Sequence, residues 1–346
     1  MKSGANWERP CTINRGNIMR HGATAILTAC VLTLVGCSNR FLARRMVAPP
    51  NDLRQKLTGP LAPIDNPTDG HLRIAVGPPK ATLSAWVREP EKGATPRGTI
   101  LILHGFLAEH AWLGYADDAF HEAGYRTVLV DLRGHGESTG KHITFGVVES
   151  RDLVQLTDYL QRNHLCGDHI GVYGVSMGAS TAIEFAAIDR RVTAVVAVSP
   201  FASFVDEVPH FGRTLLPFPG AFLSKSDYAA IIARAAEIAQ FDPRDARPLN
   251  AINKTRAPIL LLHGDKDAII PYANSQKLHD AAPDHSELVI LPNEGHVGAC
   301  FDFSGDARKR GADWFDRYLA TPAVAASSVP ANALPDAKAS AAPQSR

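Results

Sequence analysis

Gly174-Val175-Ser176-Met177-Gly178 stands between two flanks of different character. Before it, residues 169–173 read His-Ile-Gly-Val-Tyr, a short run of the kind that fills a buried strand. After it, residues 179–188 read Ala-Ser-Thr-Ala-Ile-Glu-Phe-Ala-Ala-Ile, which suits a helix. Neither glycine has a Cβ, so the chain can turn sharply between strand and helix. The turn lifts the Ser176 hydroxyl clear of the backbone, above the unpaired N–H groups that open the helix. A serine in this setting is a candidate nucleophile, and the strand–turn–helix unit points to an α/β fold.

The G-x-S-x-G pattern alone is weak, because it recurs at Gly136-Glu137-Ser138-Thr139-Gly140. That second copy follows Asp131-Leu132-Arg133-Gly134-His135 and leads into residues 141–145, where no helical pattern opens. Ser138 therefore reads as a loop residue.

Outward from Ser176, strand and helix patterns alternate. Residues 71–76 and 81–88 predict an opening pair of strands joined by the turn Gly77-Pro78-Pro79. Further strands are expected at 99–104, 126–132, 169–175, 192–198, 258–263 and 287–291. Helices are expected at 115–123, 148–163, 273–281 and 306–319. Apolar strands separated by helices imply a mostly parallel central sheet with helices on both faces. Residues 200–250 break the rhythm and hold Phe201, Phe204, Phe211, Phe218, Phe222 and Phe241, with a helix expected at 227–240. This interval reads as a small, mainly helical cap over the strand ends. Most of its aromatics would pack it onto the body, and some would line an apolar pocket.

Composition narrows the function classes. A chain of 346 residues suits one large α/β domain. A formal net charge of +1 gives no support for a nucleic-acid partner. The five cysteines show no zinc-ligand spacing, and no metal or other cofactor is called for.

Four motifs follow one another in the order used by one family. They are His104-Gly105-Phe106, Asp131-Leu132-Arg133-Gly134-His135-Gly136, the Ser176 turn, and His263-Gly264-Asp265-Lys266-Asp267 closed by Pro271. A histidine follows in Glu294-Gly295-His296. From about residue 71 to 320 the chain resembles the α/β-hydrolases, whose nucleophile, acid and histidine occur in the order Ser, Asp, His. The resemblance implies that Ser176 is the nucleophile, His296 its general base and Asp267 the carboxylate that orients the imidazole. It also implies an oxyanion hole from the backbone N–H groups of Phe106 and Met177. Asp265 lies on the same loop as Asp267 and is the alternative acid. His104, His263, Asp131 and Arg133 read as structural. Epoxide hydrolases and dehalogenases on this fold use an Asp nucleophile, so Ser176 points to acyl transfer to water.

Both ends fall outside this domain. Lys2, Arg9, Arg15 and Arg20 precede an apolar run at 23–35, too short to span a bilayer and of signal-peptide length. It ends in Leu34-Val35-Gly36-Cys37-Ser38, which resembles the lipobox of bacterial lipoproteins. The resemblance implies a signal peptide over 1–36, lipid attachment at Cys37 and an anchor in the cell envelope, at the outer membrane. Met19 is an alternative start. Residues 37–70 are expected as a flexible tether, basic at Arg40, Arg44, Arg45, Arg54 and Lys56 and broken by five prolines. The Ala/Pro/Ser-rich stretch 321–346 is expected to be disordered. Export would allow Cys166 and Cys300 to pair.

The expected function is a lipid-anchored serine hydrolase acting on a small-molecule or lipid-like carboxylic ester. A thioesterase, peptidase or acyltransferase on the same three residues is the enzymatic alternative. A catalytically silent ligand-binding lipoprotein is the alternative from another class.

Overall fold

The computed structural model describes residues 39–51, 70–91, 94–215 and 220–319. The segment 1–36, Cys37 and the tail at 321–346 lie outside the described residues. Eight strands form one sheet in the order β1-β2-β4-β3-β5-β6-β7-β8. They are β1 (His71–Val76), β2 (Ala81–Arg88), β3 (Thr99–Leu103), β4 (Arg126–Asp131), β5 (Ile170–Val175), β6 (Val192–Val198), β7 (Ile259–Gly264) and β8 (Ser286–Leu291). Strand β2 runs antiparallel to both β1 and β4, and every pairing from β4 to β8 is parallel.

Strand composition follows position in the sheet. All residues of β3 and β5 are buried, whereas the edge strands β1 and β8 mix buried and exposed positions. The inner strands are mostly apolar because each face has its own core. Leu101 and Leu103 of β3 point into one core, and Ile100 and Ile102 into the other. Successive side chains alternate across a strand, so a strand buried on both faces needs an unbroken apolar run. The helices Val147–Arg162 and Met177–Ile188 cover the first face. The helices Gly114–Glu122 and Asp306–Tyr318 cover the second. Cys166 and Cys300 belong to different cores on opposite faces, and both are free thiols rather than a pair.

Three elements around the Ser176 end of the sheet differ from the sequence reading. First, the cap contains a helix over Phe204–Leu215 as well as the expected one at Lys225–Ala239. Pro209 lies inside the first of these and hides its pattern, because proline in a helix interior removes a donor and reads as a break. Second, a short helix, His296–Phe301, begins at His296, where the sequence pattern predicts none. Third, residues 39–51 are not tether. Residues 39–46 form a helix, and Ala43 and Val47 are completely buried in the first core. The segment is tied down by hydrogen bonds: Ile143 N donates to Val47 O, and Asn51 Nδ2 donates to Ser138 O at 2.8 Å.

The second G-x-S-x-G is a buried loop. Ser138 Oγ accepts from Ser84 N and donates to Asp131 O. The Asp131 carboxylate accepts from the N–H groups of His110 and Glu137, each at 2.7 Å. Nearby, Arg133 donates to both oxygens of Asp152, each bond 2.7 Å, with both side chains about 2% exposed. Removing one partner strands a buried charge, which costs about 3–5 kcal/mol. Arg133→Met should lower stability in urea unfolding by about that amount, and Arg133→Met with Asp152→Leu should recover most of it.

Candidate active site

Strand β5 lies inside the sheet between β3 and β6, and its C-terminal end carries Ser176. Ser176 has φ 53° and ψ −119°, a left-handed conformation that strains a residue with a Cβ by about 1–3 kcal/mol. The strain is held by close backbone packing. A Cβ on Gly178 would press on the carbonyl oxygens of Leu103 and His104, and one on Gly174 would press on the Gly178 carbonyl. Ser176 N also donates to Val198 O at 2.8 Å, locking the turn to the neighbouring strand. The result is a serine standing at the N-terminus of a buried helix, with the amide of Met177 at its first position.

The acid and the histidine arrive from the ends of β7 and β8. His296 Nε2 is 3.0 Å from Ser176 Oγ, and its Nδ1 is 2.7 Å from Asp267 Oδ2. A carboxylate only accepts, so Nδ1 carries the proton and Nε2 accepts from the serine hydroxyl. Asp267 is 6% exposed, and its Oδ1 accepts from Ile269 N and Ile270 N. Its other oxygen lies 3.3 Å from His263 Nε2. Asp265, the alternative acid, is exposed and makes no such bond to His296. His263 supports the loop, with Nδ1 against Ser275 Oγ and Nε2 against Ile270 O, each at 2.7 Å.

Electrostatics follow from these contacts. Burial disfavours the Asp267 carboxylate, but the bonds from His263, His296 and Ile270 outweigh it and hold its pKa well below the usual carboxylate range. Burial also opposes a charged His296, yet the Cys300 and Asp267 side chains raise its pKa above the ordinary histidine value. Cys300 Sγ is 3.8 Å from His296 Nε2. His104 is the opposite case. It is fully buried, and burial together with His135 pushes its pKa down to about 3. The neutral ring donates from Nδ1 to Gly105 O and accepts Leu132 N at Nε2, pinning the turn that carries Phe106. At that turn the Gly105 backbone lies against the serine, where a Cβ would be 3.2 Å from Ser176 Cβ.

Beside Ser176 opens an apolar cavity of about 220 Å³. Phe201, Phe204 and Phe211 of the cap line it, as do Phe106 and Met177. Phe241 instead packs on Phe204, and Phe222 is 77% exposed. Phe218 lies outside the described residues. Two sets of lining residues escaped the sequence reading. Phe145 comes from the loop before the Val147–Arg162 helix and stacks on Phe204 at 4.1 Å. Leu42, Arg45 and Met46 come from the helix at 39–46. The alternation of inward Leu42, Ala43, Met46 and Val47 with outward Arg40, Phe41, Arg44 and Arg45 was the available signal. Among the described residues no cluster of His, Cys, Asp and Glu could hold a metal ion, and no helix is long and apolar enough to cross a membrane.

Comparison with known proteins agrees with the architecture. Residues 94–247 match the model of a family described as serine aminopeptidase, S33, and residues 233–329 match that of the TAP-like proteins. The uncharacterized protein YqkD of Bacillus subtilis is 28% identical over 210 residues, which span 58% of this chain and 65% of YqkD. The uncharacterized protein YfhR of Escherichia coli is 23% identical over 235 residues, spanning 65% of this chain and 72% of YfhR. Among solved structures, the Pyrococcus furiosus esterase Pf2001 superposes with a TM-score of 0.60 at 23% identity, covering 79% of this chain and 98% of that one. At that identity the likeness is one of fold. With its eight-stranded, mostly parallel sheet and its strand-to-helix serine turn, the chain has the α/β-hydrolase fold, and the two family matches follow one another along it.

Proposed function

We propose that the protein is a serine hydrolase that cleaves carboxylic esters with an apolar acyl group. The observation that carries this reading is the hydrogen-bonded chain from Ser176 through His296 to Asp267 beside an apolar cavity. A free serine hydroxyl is a poor nucleophile at neutral pH, and a base at 3.0 Å removes that obstacle. As Ser176 Oγ bonds to the ester carbon, its proton passes to His296 Nε2. The negative charge that develops on the carbonyl oxygen is received by the N–H groups of Phe106 and Met177. Collapse expels the alcohol oxygen, which takes the proton from His296 Nε2. Water then gives a proton to the same nitrogen and attacks the acyl carbon. The second collapse releases the acid and returns the proton to Ser176 Oγ. Asp267 stays ionised throughout and stabilises the imidazolium.

The neighbouring esterase fold is consistent with ester chemistry, and the cavity walls favour a hydrocarbon acyl group. A second reading, amide cleavage, has the serine aminopeptidase family match in its favour. Glu207 lines the cavity and would suit a free amino group when ionised, but burial raises its pKa and works against that form. Lipid attachment at Cys37 belongs to the same proposal. It would set the anchor two residues before the helix at 39–46.

A fluorophosphonate probe tests the nucleophile. Mass spectrometry should find the adduct on Ser176, absent in Ser176→Ala and His296→Ala and retained in Ser138→Ala. Ser176→Ala should also lower ester kcat by roughly 10⁴-fold or more. Labelling of another serine would overturn the assignment.

The pH profile tests the base. Protonated His296 cannot accept the serine proton, and its pKa is raised, so kcat/KM should climb with pH through a midpoint above about 6.5. Asp267→Asn removes a charge that favours the imidazolium. It should move that midpoint downward, and a midpoint below 6.5 in the unsubstituted protein would contradict the scheme.

A further inference from the structure

The cavity beside Ser176 has a wall that comes from outside the hydrolase body. Leu42 and Met46 supply it from the helix at 39–46, and Ala43 and Val47 on the same face are completely buried. The opposite face carries Arg40, Phe41, Arg44 and Arg45, all exposed, with Phe41 at 63%. Arg45 is exposed and also lines the cavity, which marks where the cavity meets solvent. Asn39 hydrogen-bonds to Asp227 in the first turn of the cap helix Lys225–Ala239, so helix and cap share an edge. Across that edge, Gly220 and Leu223 line the cavity, while Phe222 between them is 77% exposed. Arg213 and Lys225 are exposed on the same part of the cap.

Outward phenylalanines ringed by basic side chains at the mouth of an apolar cavity fit one kind of partner. Aromatic groups enter the headgroup and acyl boundary of a bilayer, and arginines meet its phosphates. Each basic residue near an anionic surface contributes about as much as a weak ion pair, and together they orient the protein. A soluble protein partner would not require the chain to arrive at this face from a segment shaped like a lipid-attachment site, with Cys37 two residues upstream.

We propose that the face formed by the helix at 39–46 and the cap segment at 220–225 docks on an anionic lipid bilayer. The cavity mouth then opens onto the membrane, and the substrate is an ester drawn from the lipid phase. The substrate class rests on the hydrolase reading, whereas the docking itself does not.

The full chain would be mixed with vesicles of phosphatidylglycerol and phosphatidylcholine doped with a diazirine phospholipid, irradiated, and mapped by mass spectrometry. Adducts are expected on residues 40–46 and 220–225, and none on the exposed Phe303 or Tyr318. Residues 220–225 are the decisive readout, because they are distant in sequence from any N-terminal anchor. Arg40→Glu with Arg44→Glu should reduce those adducts about tenfold, as should high salt. The same double variant should slow hydrolysis of a vesicle-borne long-chain ester while leaving soluble 4-nitrophenyl butyrate turnover unchanged. Adducts confined to residues preceding 39, adducts spread equally over Phe303 and Tyr318, or cross-links between two copies through residues 220–225 would overturn the docking face. Cross-linking needs no turnover, so it decides the docking even where neither ester is hydrolysed. Failure of fluorophosphonate to label Ser176 would remove the hydrolase reading alone.

Discussion

The site depends on how closely the backbone of the Ser176 turn can approach the strand beside it. Gly178 rests against the carbonyl oxygens of Leu103 and His104, and Gly174 against Gly178 itself. Any side chain at either point would push the helix away from the sheet. With the glycines in place, the helix Met177–Ile188 packs directly on the strand ends, and the serine is forced into a strained conformation that points its hydroxyl outward. That strain is tolerated because the turn is also bonded to β6 through Ser176 N and Val198 O. The same packing brings the Phe106 turn against the serine, since His104 spans from β3 to the Leu132 amide beside β4. One backbone contact thus sets the Ser176 hydroxyl, the adjacent helix N-terminus and the neighbouring amide turn in a single relation.

Around this point the buried polar groups divide into those that hold loops and those aimed at the serine. His104, His263, Asp131, Ser138 and the Arg133–Asp152 pair all have hydrogen bonds that join loops, strands and helices around the strand ends. They stiffen the rim of the sheet. His296 differs, because one ring nitrogen is held by Asp267 and the other faces a side chain that can give up a proton. Asp267 in turn is fixed by two backbone amides and lies close to His263, so the imidazole inherits its orientation from the body of the fold.

The apolar cavity is assembled from more distant parts of the chain. Phe204 and Phe211 lie on a cap helix that Pro209 conceals from pattern reading. Phe145 lies in a loop with no periodicity, and its role appears only when its ring stacks on Phe204. Leu42 and Met46 sit in a segment whose arginines and prolines suggested a solvated tether. The helix at 39–46 and Val47 just after it turn Leu42, Ala43, Met46 and Val47 inward, and that outweighs the local basic character.

Strand positions, the alternation with helices, the serine turn and the order of Ser176, Asp267 and His296 were all legible along the chain. Each rests on local physics: apolar runs bury strands, glycines permit a turn, and motif order survives whatever the fold does with it. The motif favoured Asp267 and left Asp265 on the same loop as the alternative, and only the fold shows which of the two faces His296. The free state of Cys166 and Cys300 was not local, because the sheet itself separates them. Least visible of all was the wall that residues 39–46 add to the cavity. Its partners are far away in the sequence, and only packing in three dimensions joins them.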